Sequence, residues 1–249
     1  MIHILSILLT FFIFPSTVFS AEKIIFASPE RLPPKIFMEN GVLRGTYIEI
    51  ITAVCKRLKV EPVFVQYPWA RAIAMVKSGK VHAIFPPFKT LEREEFLYFS
   101  TEPMGFTRNA IFARKARKIK INNLVDLKSL IVGINDQYSY GAEFDKFRTN
   151  LKLDISHTEE MQINKLAHIG QTRMDVAAAS EETFKFLSRN MGFEKDFERI
   201  YVFSEQPSYV AFSKALGVKN KKLALQFSQI LKQLRKEGVI QKINEHYFK

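Results

Sequence analysis

One cysteine, Cys55, among 249 residues excludes an intrachain disulfide and any cysteine-based metal cluster. The five histidines, His3, His82, His157, His168 and His246, include no pair three or four positions apart, so the helical spacing of metal ligands is missing too. No G-x-S-x-G elbow, P-loop or dinucleotide fingerprint occurs. No cofactor or metal is expected, and a binding protein is favoured over an enzyme. With only ten glycines and ten prolines, the composition is that of an ordinary folded chain without low-complexity segments. No apolar run after Phe14 approaches the ~20 residues that span a bilayer.

Residues 2 to 14 are apolar and carry no charge apart from His3. Pro15-Ser16-Thr17 and the small-residue region Val18 to Ala21 follow. This layout predicts a secretory signal peptide over residues 1–20, cleaved after Ser20. The apolar stretch is short for the alternative, an uncleaved anchor. No cysteine near the cleavage point offers a lipid attachment site, so a protein free in a periplasm is expected. The leader has no Lys, Arg, Asp or Glu, and the mature chain therefore keeps the whole formal charge of +12. The densest basic run, Arg114 to Lys120, has no interleaved aromatic residue and reads as a solvated face, with no nucleic-acid partner expected. Cys55 falls on the apolar face of a predicted helix, as a buried structural thiol.

The mature chain opens with an apolar strand, Ile24 to Ala27, and a loop from Ser28 containing Arg31 and Pro33-Pro34. Asn40-Gly41 signals a turn. From Gly45, the spacing of Ile48, Ile51, Val54, Cys55 and Leu58 predicts a helix, and Pro62 to Val65 a strand. Trp69, Ile73 and Val76 again fall at helical spacing, and Val81 to Phe85 is a compact buried strand stopped by Pro86-Pro87. Strand, helix and strand in repeated order indicate α/β architecture with a parallel sheet and crossover helices.

The order Trp69, Ser78-Gly79-Lys80-Val81, Ala83 to Phe85, Thr90-Leu91-Glu92-Arg93 and Phe99-Ser100 resembles the polar-amino-acid solute-binding proteins of ABC importers, solute-binding family 3. The tail Lys236, Gly238, Lys242, Ile243, Tyr247 and Phe248 resembles that family's closing pattern, so the likeness covers residues 22 to 249. It implies a two-lobed, type II periplasmic-binding fold with a ligand cleft between the lobes. Lobe 1 would comprise residues 21–110 and 212–249, and lobe 2 residues 111–211, with hinge strands near 109–114 and 208–213. Tyr209 to Lys214 resembles the returning hinge strand. A small-molecule solute, a membrane permease and a monomeric receptor are the implied partners and state.

The resemblance also distributes roles. Arg93 would grip a carboxylate through two parallel hydrogen bonds. Trp69 would stack on the ligand, or else belong to the core. Thr90 and Ser139 would add hydroxyls, and the loop at Ser139 backbone N–H groups. Arg31 and Arg71 would add positive potential. The family's ammonium-binding acid is replaced by Ser180, with Glu181 beside it as a substitute. An α-amino acid is therefore expected to bind poorly unless Glu181 reaches it, and a small anionic or polar carboxylate is preferred. Two alternatives remain: a cyclohexadienyl-dehydratase-like enzyme with Glu181 as general acid, and a solute-sensing module.

Overall fold

The computed structural model describes residues 22–135, 138, 140–168 and 174–248. The leader and Ser139 lie outside them. The chain enters on β1 (Lys23–Ser28) and makes a hairpin of β2 (Phe37–Glu39) and β3 (Val42–Arg44). The hairpin turns at Asn40 and Gly41, both with positive φ, as the twist of a two-residue turn requires. Next come α1 (Thr46–Leu58), β4 (Glu61–Gln66), α2 (Trp69–Lys77), β5 (Ala83–Ile84), α3 (Leu91–Phe96) and β6 (Leu97–Phe99). The helix α1 buries Ile48, Ile51, Val54 and Cys55 on the face that sequence periodicity marks out. Burial pushes the Cys55 thiol up to about 12, which makes it a packing group rather than a nucleophile. Gly45 precedes α1 at φ 128°, and a Cβ there would stand 2.2 Å from the Lys35 carbonyl oxygen, so no other residue fits without a backbone shift.

A second set of elements follows: β7 (Gly105–Arg114), β8 (Ile131–Asn135), α4 (Ala142–Phe147), β9 (Lys152–Ser156), α5 (Glu159–Ala167), β10 (Val176–Ser180), α6 (Glu181–Asn190) and β11 (Phe197–Ser208). The chain closes with β12 (Ala211–Ser213), α7 (Gly217–Lys236) and α8 (Val239–Phe248). Two five-stranded sheets result, ordered β4-β1-β5-β12-β6 and β11-β7-β10-β8-β9. Pro62 is accommodated because β4 is an edge strand. In the second sheet β10 is central, and its Val-Ala-Ala-Ala-Ser run is buried throughout. These small side chains leave room for Phe184 of α6, which stacks on Phe112 of β7 with ring centroids 4.0 Å apart. The last two helices return to the first sheet, where Phe227, Leu231 and Ile240 join Phe26, Ile51 and Phe212 in one core. Tyr247 fastens this tail: its hydroxyl donates to Glu49 and accepts from the Gly45 N–H.

The path back to the first sheet differs from the sequence expectation. It is β11, twelve residues long and paired antiparallel with β7 from Phe197↔Arg114 to Ser208↔Gly105. Ala211–Ser213, assigned from sequence to the returning strand, instead lies inside the first sheet between β5 and β6. The outgoing strand begins at Gly105, four residues before Asn109. Residues Val81 to Phe85 are largely buried as expected, but only Ala83 and Ile84 pair as strand.

Candidate functional site

In open α/β sheets, ligands collect beyond the carboxyl ends of the strands. Here those ends converge from both lobes. The first sheet contributes Pro29 to Arg31 after β1 and Tyr67 to Trp69 after β4. The second contributes Asn135 and Tyr138 at the end of β8 and His157 to Glu160 after β9. Together they enclose a cleft of about 450 Å³. Arg31 ion-pairs with Glu160 across it, joining the β1 loop to the start of α5.

Trp69 has a double placement. Its ring packs against the buried group around Ala72, Val76 and Ile84, and the residue also lines the cleft. The Arg93 guanidinium stands 5.6 Å from the centre of the Trp69 ring. Thr90 caps α3, its hydroxyl accepting from the Arg93 N–H at 3.3 Å, and this sets the direction in which Arg93 leaves the helix. Arg93 Nη1 donates to the Phe88 carbonyl at 2.8 Å. Burial draws the Arg93 pKa down, with Glu92 opposing. Among the described residues no carboxylate lies within ion-pairing range of Arg93, so a half-buried cation is held behind Trp69 by a neutral oxygen and an aromatic face. Arg71 is exposed and lies over the Tyr67 ring at 4.9 Å.

Ser180 ends β10 with its Oγ buried and without a hydrogen-bond partner. Glu181 goes elsewhere. Its carboxylate receives Arg199 at 2.7 and 2.9 Å, Lys185 at 2.5 Å and Arg108 at 3.4 Å. Burial raises its proton affinity, but the hydrogen bonds from Lys185 and Arg199 outweigh this and leave its pKa below the usual carboxylate range. It lines a separate cavity of about 700 Å³ beside Lys35, Tyr47 and Tyr247, which shares no lining residue with the cleft. Of the residues expected from sequence, Trp69 and Arg31 line the cleft; Arg93, with its cap Thr90, and Arg71 lie against the cleft residues Trp69 and Tyr67, and Glu181 lines the other cavity.

Residue reasoning did not single out Tyr67, Tyr138, Glu159 or Glu160, all of which line the cleft. One signal was available for the last two: Thr158 caps α5, accepting from the Met161 N–H at 3.1 Å, and a capped helix directly after a strand presents its first turn at the strand end.

Comparison with known proteins agrees with this geometry. The family profile of bacterial extracellular solute-binding proteins, family 3, matches residues 24–249. The arginine-binding periplasmic protein of Mannheimia haemolytica is 24% identical over 232 residues, 91% of each chain. The L-cystine-binding protein TcyA of Bacillus subtilis (strain 168) is 24% identical over 84% of this chain and 74% of its own. The solved structure of an ancestral arginine-binding protein bound to arginine superposes with a TM-score of 0.72 at 23% identity, covering 91% of this chain and 98% of that one. The two-lobed α/β fold and the family match over residues 24–249 show that the chain belongs to the bacterial extracellular solute-binding proteins of family 3.

Proposed function

We propose that the protein is the receptor of an ABC importer. In this reading it is exported to a periplasm through a leader cleaved after Ser20, and it delivers a small carboxylate-bearing polar solute, amino acids included, to a membrane permease. The amino-acid ligands of its relatives support the solute class. The observation that carries the reading is Arg93, a half-buried guanidinium 5.6 Å from the ring centre of Trp69, which lines the cleft, with no described carboxylate in ion-pairing range of the guanidinium. A planar guanidinium with donors left over is suited to bidentate capture of a carboxylate. Ser180 and the Ser139 loop remain proposed contacts, and Thr90 contributes as the cap that positions Arg93. A non-catalytic role is supported by Glu181: three cations hold it as a carboxylate, the opposite of what a general acid needs.

Calorimetry with a panel of amino acids, simple carboxylates and uncharged polar metabolites tests the reading. A carboxylate-bearing solute is expected to bind, and Arg93→Ala should weaken it by roughly ten- to a hundredfold, the worth of a charge-assisted hydrogen-bond pair. Undiminished binding by the folded variant removes Arg93 from the site.

A further inference from the structure

The formal charge of +12 is unevenly placed. The helix α7 carries six cations, Lys219, Lys221, Lys222, Lys232, Arg235 and Lys236, and no acid, so half of the net charge sits on one helix. A solvated surface helix ordinarily mixes signs, because like charges three or four positions apart repel. Lys219 with Lys222 and Lys232 with Lys236 are such pairs. The first pair also stands at the positive end of the helix, where cations are disfavoured and where Leu216, at the N-cap, supplies no side-chain hydrogen bond. Helix stability therefore does not account for these lysines. Packing sorts the residues by face: Ala224, Phe227, Leu231 and Leu234 are buried. The opposite side presents Val218, Lys222, Leu225, Gln229, Lys232 and Lys236 to solvent, with Lys221 beside them. Their alternating spacing of four and three makes a straight ridge about 27 Å long. Its two apolar members are well exposed, Val218 at 81% and Leu225 at 52%. The acids at the two ends of α7 are engaged elsewhere, Glu22 by Lys219 at 2.6 Å and Glu237 by Arg57 at 2.7 Å. Lys221, Lys222, Lys232 and Lys236 make no ion pair among the described residues. The Lys219–Glu22 pair and the bond from Asn220 to the His82 carbonyl, at 3.0 Å, set the start of α7 beside the starts of β1 and β5. That is the end of the first sheet opposite the cleft, and no residue of the ridge lines the cleft.

We propose that the outward face of α7 is a docking surface for an anionic phospholipid bilayer. Lys221, Lys222, Lys232 and Lys236 meet the headgroup phosphates, and Val218 and Leu225 enter the interface between them. A straight, convex ridge of unpaired ammonium groups matches an extended negative plane, whereas a single small anion calls for a concave site that a helix ridge does not form. The exposed valine and leucine within the basic stripe favour lipid over nucleic acid, since they gain burial at a bilayer surface and nothing from a phosphate backbone. The inference goes beyond the receptor reading and does not depend on which solute the cleft takes.

Cosedimentation of the mature protein with vesicles of phosphatidylcholine, alone or mixed equally with phosphatidylglycerol, tests the assignment. The anionic vesicles are expected to bind at least about tenfold more tightly, and the preference should shrink between about 50 and 300 mM salt as screening shortens the reach of surface charge. One lysine at an anionic surface is worth about fivefold in affinity, so the combined variant Lys221→Gln, Lys222→Gln, Lys232→Gln should bind at least about tenfold more weakly. A matched variant, Lys115→Gln, Lys118→Gln, Lys120→Gln, removes the same charge from the second lobe and should lose less than about threefold. Leu225→Ser keeps every charge and should still weaken vesicle binding by about threefold, the worth of a partly inserted side chain. Melting curves establish that each variant folds. Equal binding to neutral and anionic vesicles, or an equal loss in the second-lobe variant, overturns the docking face. Unchanged vesicle binding by Leu225→Ser, together with tighter binding of wild type to a DNA duplex at the same salt, overturns the bilayer as its occupant.

Discussion

At the scale of single residues, two acids that each begin a helix have been given opposite environments. Glu159 is desolvated without a cation in contact, and Glu181 is surrounded by three. The partners of Glu181 are 40–56% exposed, so solvent weakens the network, and Glu181→Gln should cost about 1–3 kcal/mol in urea denaturation. The pH dependence follows from the direction of its pKa. The folded value lies below the unfolded one, so the stabilisation is fully present above the unfolded carboxyl pKa, about 4.3, and is lost as pH falls through the folded value. The gap between wild type and Glu181→Gln should therefore be constant near neutrality and close on acidification. Because Glu181 lies outside the cleft, solute affinity in Glu181→Gln should remain within about twofold, and a larger loss would return Glu181 to the site.

At the scale of elements, the loop after β1 and the helix α6 form a contact between the two lobes. Lys35, with a side chain only 3% exposed, reaches Glu182 of α6 at 2.5 Å and Thr107 of β7 at 2.9 Å. Thr183 donates to the Pro33 carbonyl at 2.7 Å, and Phe37 meets Phe186 with ring centroids 5.4 Å apart. Removing the ammonium leaves Glu182 and Thr107 without their cation and donor. Lys35→Met should therefore lower stability by about 2–4 kcal/mol, below the full cost of a deeply buried pair because Glu182 is 31% exposed. A denaturation midpoint equal to wild type would show that the contact contributes nothing. The same loop supplies Arg31 to the cleft, so one short segment lines both cavities.

For the whole molecule, solute must favour one arrangement of the lobes over another if binding is to move them. The strands β7 and β11 are the paired route between the sheets, and the Arg31–Glu160 pair already bridges the cleft. If the proposed export holds, the secreted protein should have a mass that begins at Ala21, and it is expected to lose radius of gyration and to change Trp69 emission when saturated with solute. Scattering curves that superimpose with and without demonstrated ligand would rule out closure.

The local part of this architecture was legible because it depends on spacing alone. Ile48, Ile51, Val54 and Cys55 mark one helix face, Asn40-Gly41 marks a hairpin, and the Val81 to Phe85 run marks a buried strand end. The strand β11 was not legible: Phe197 to Ser208 mixes charged, aromatic and small residues, is mostly half exposed, and has two register shifts that break alternation. The pattern carried by β12 was read as the crossing because its apolar run is clear, but an apolar run says only that a strand is buried, not in which sheet. Arg93 was singled out through the resemblance of Thr90-Leu91-Glu92-Arg93 to the family pattern, and its carboxylate-binding role remains a proposal. Glu159 was not, because an acid in the first turn of a helix is ordinary until the tertiary fold sets it against Tyr138 inside a cleft. Glu181 likewise looked like a substitute for the acid missing at Ser180, until β7 and β11 brought Arg108 and Arg199 to it. Sequence by itself determined the elements and their order through periodicity, caps and turns. Only the tertiary structure decided which charges meet, because that depends on residues tens of positions apart sharing a cleft or a cavity.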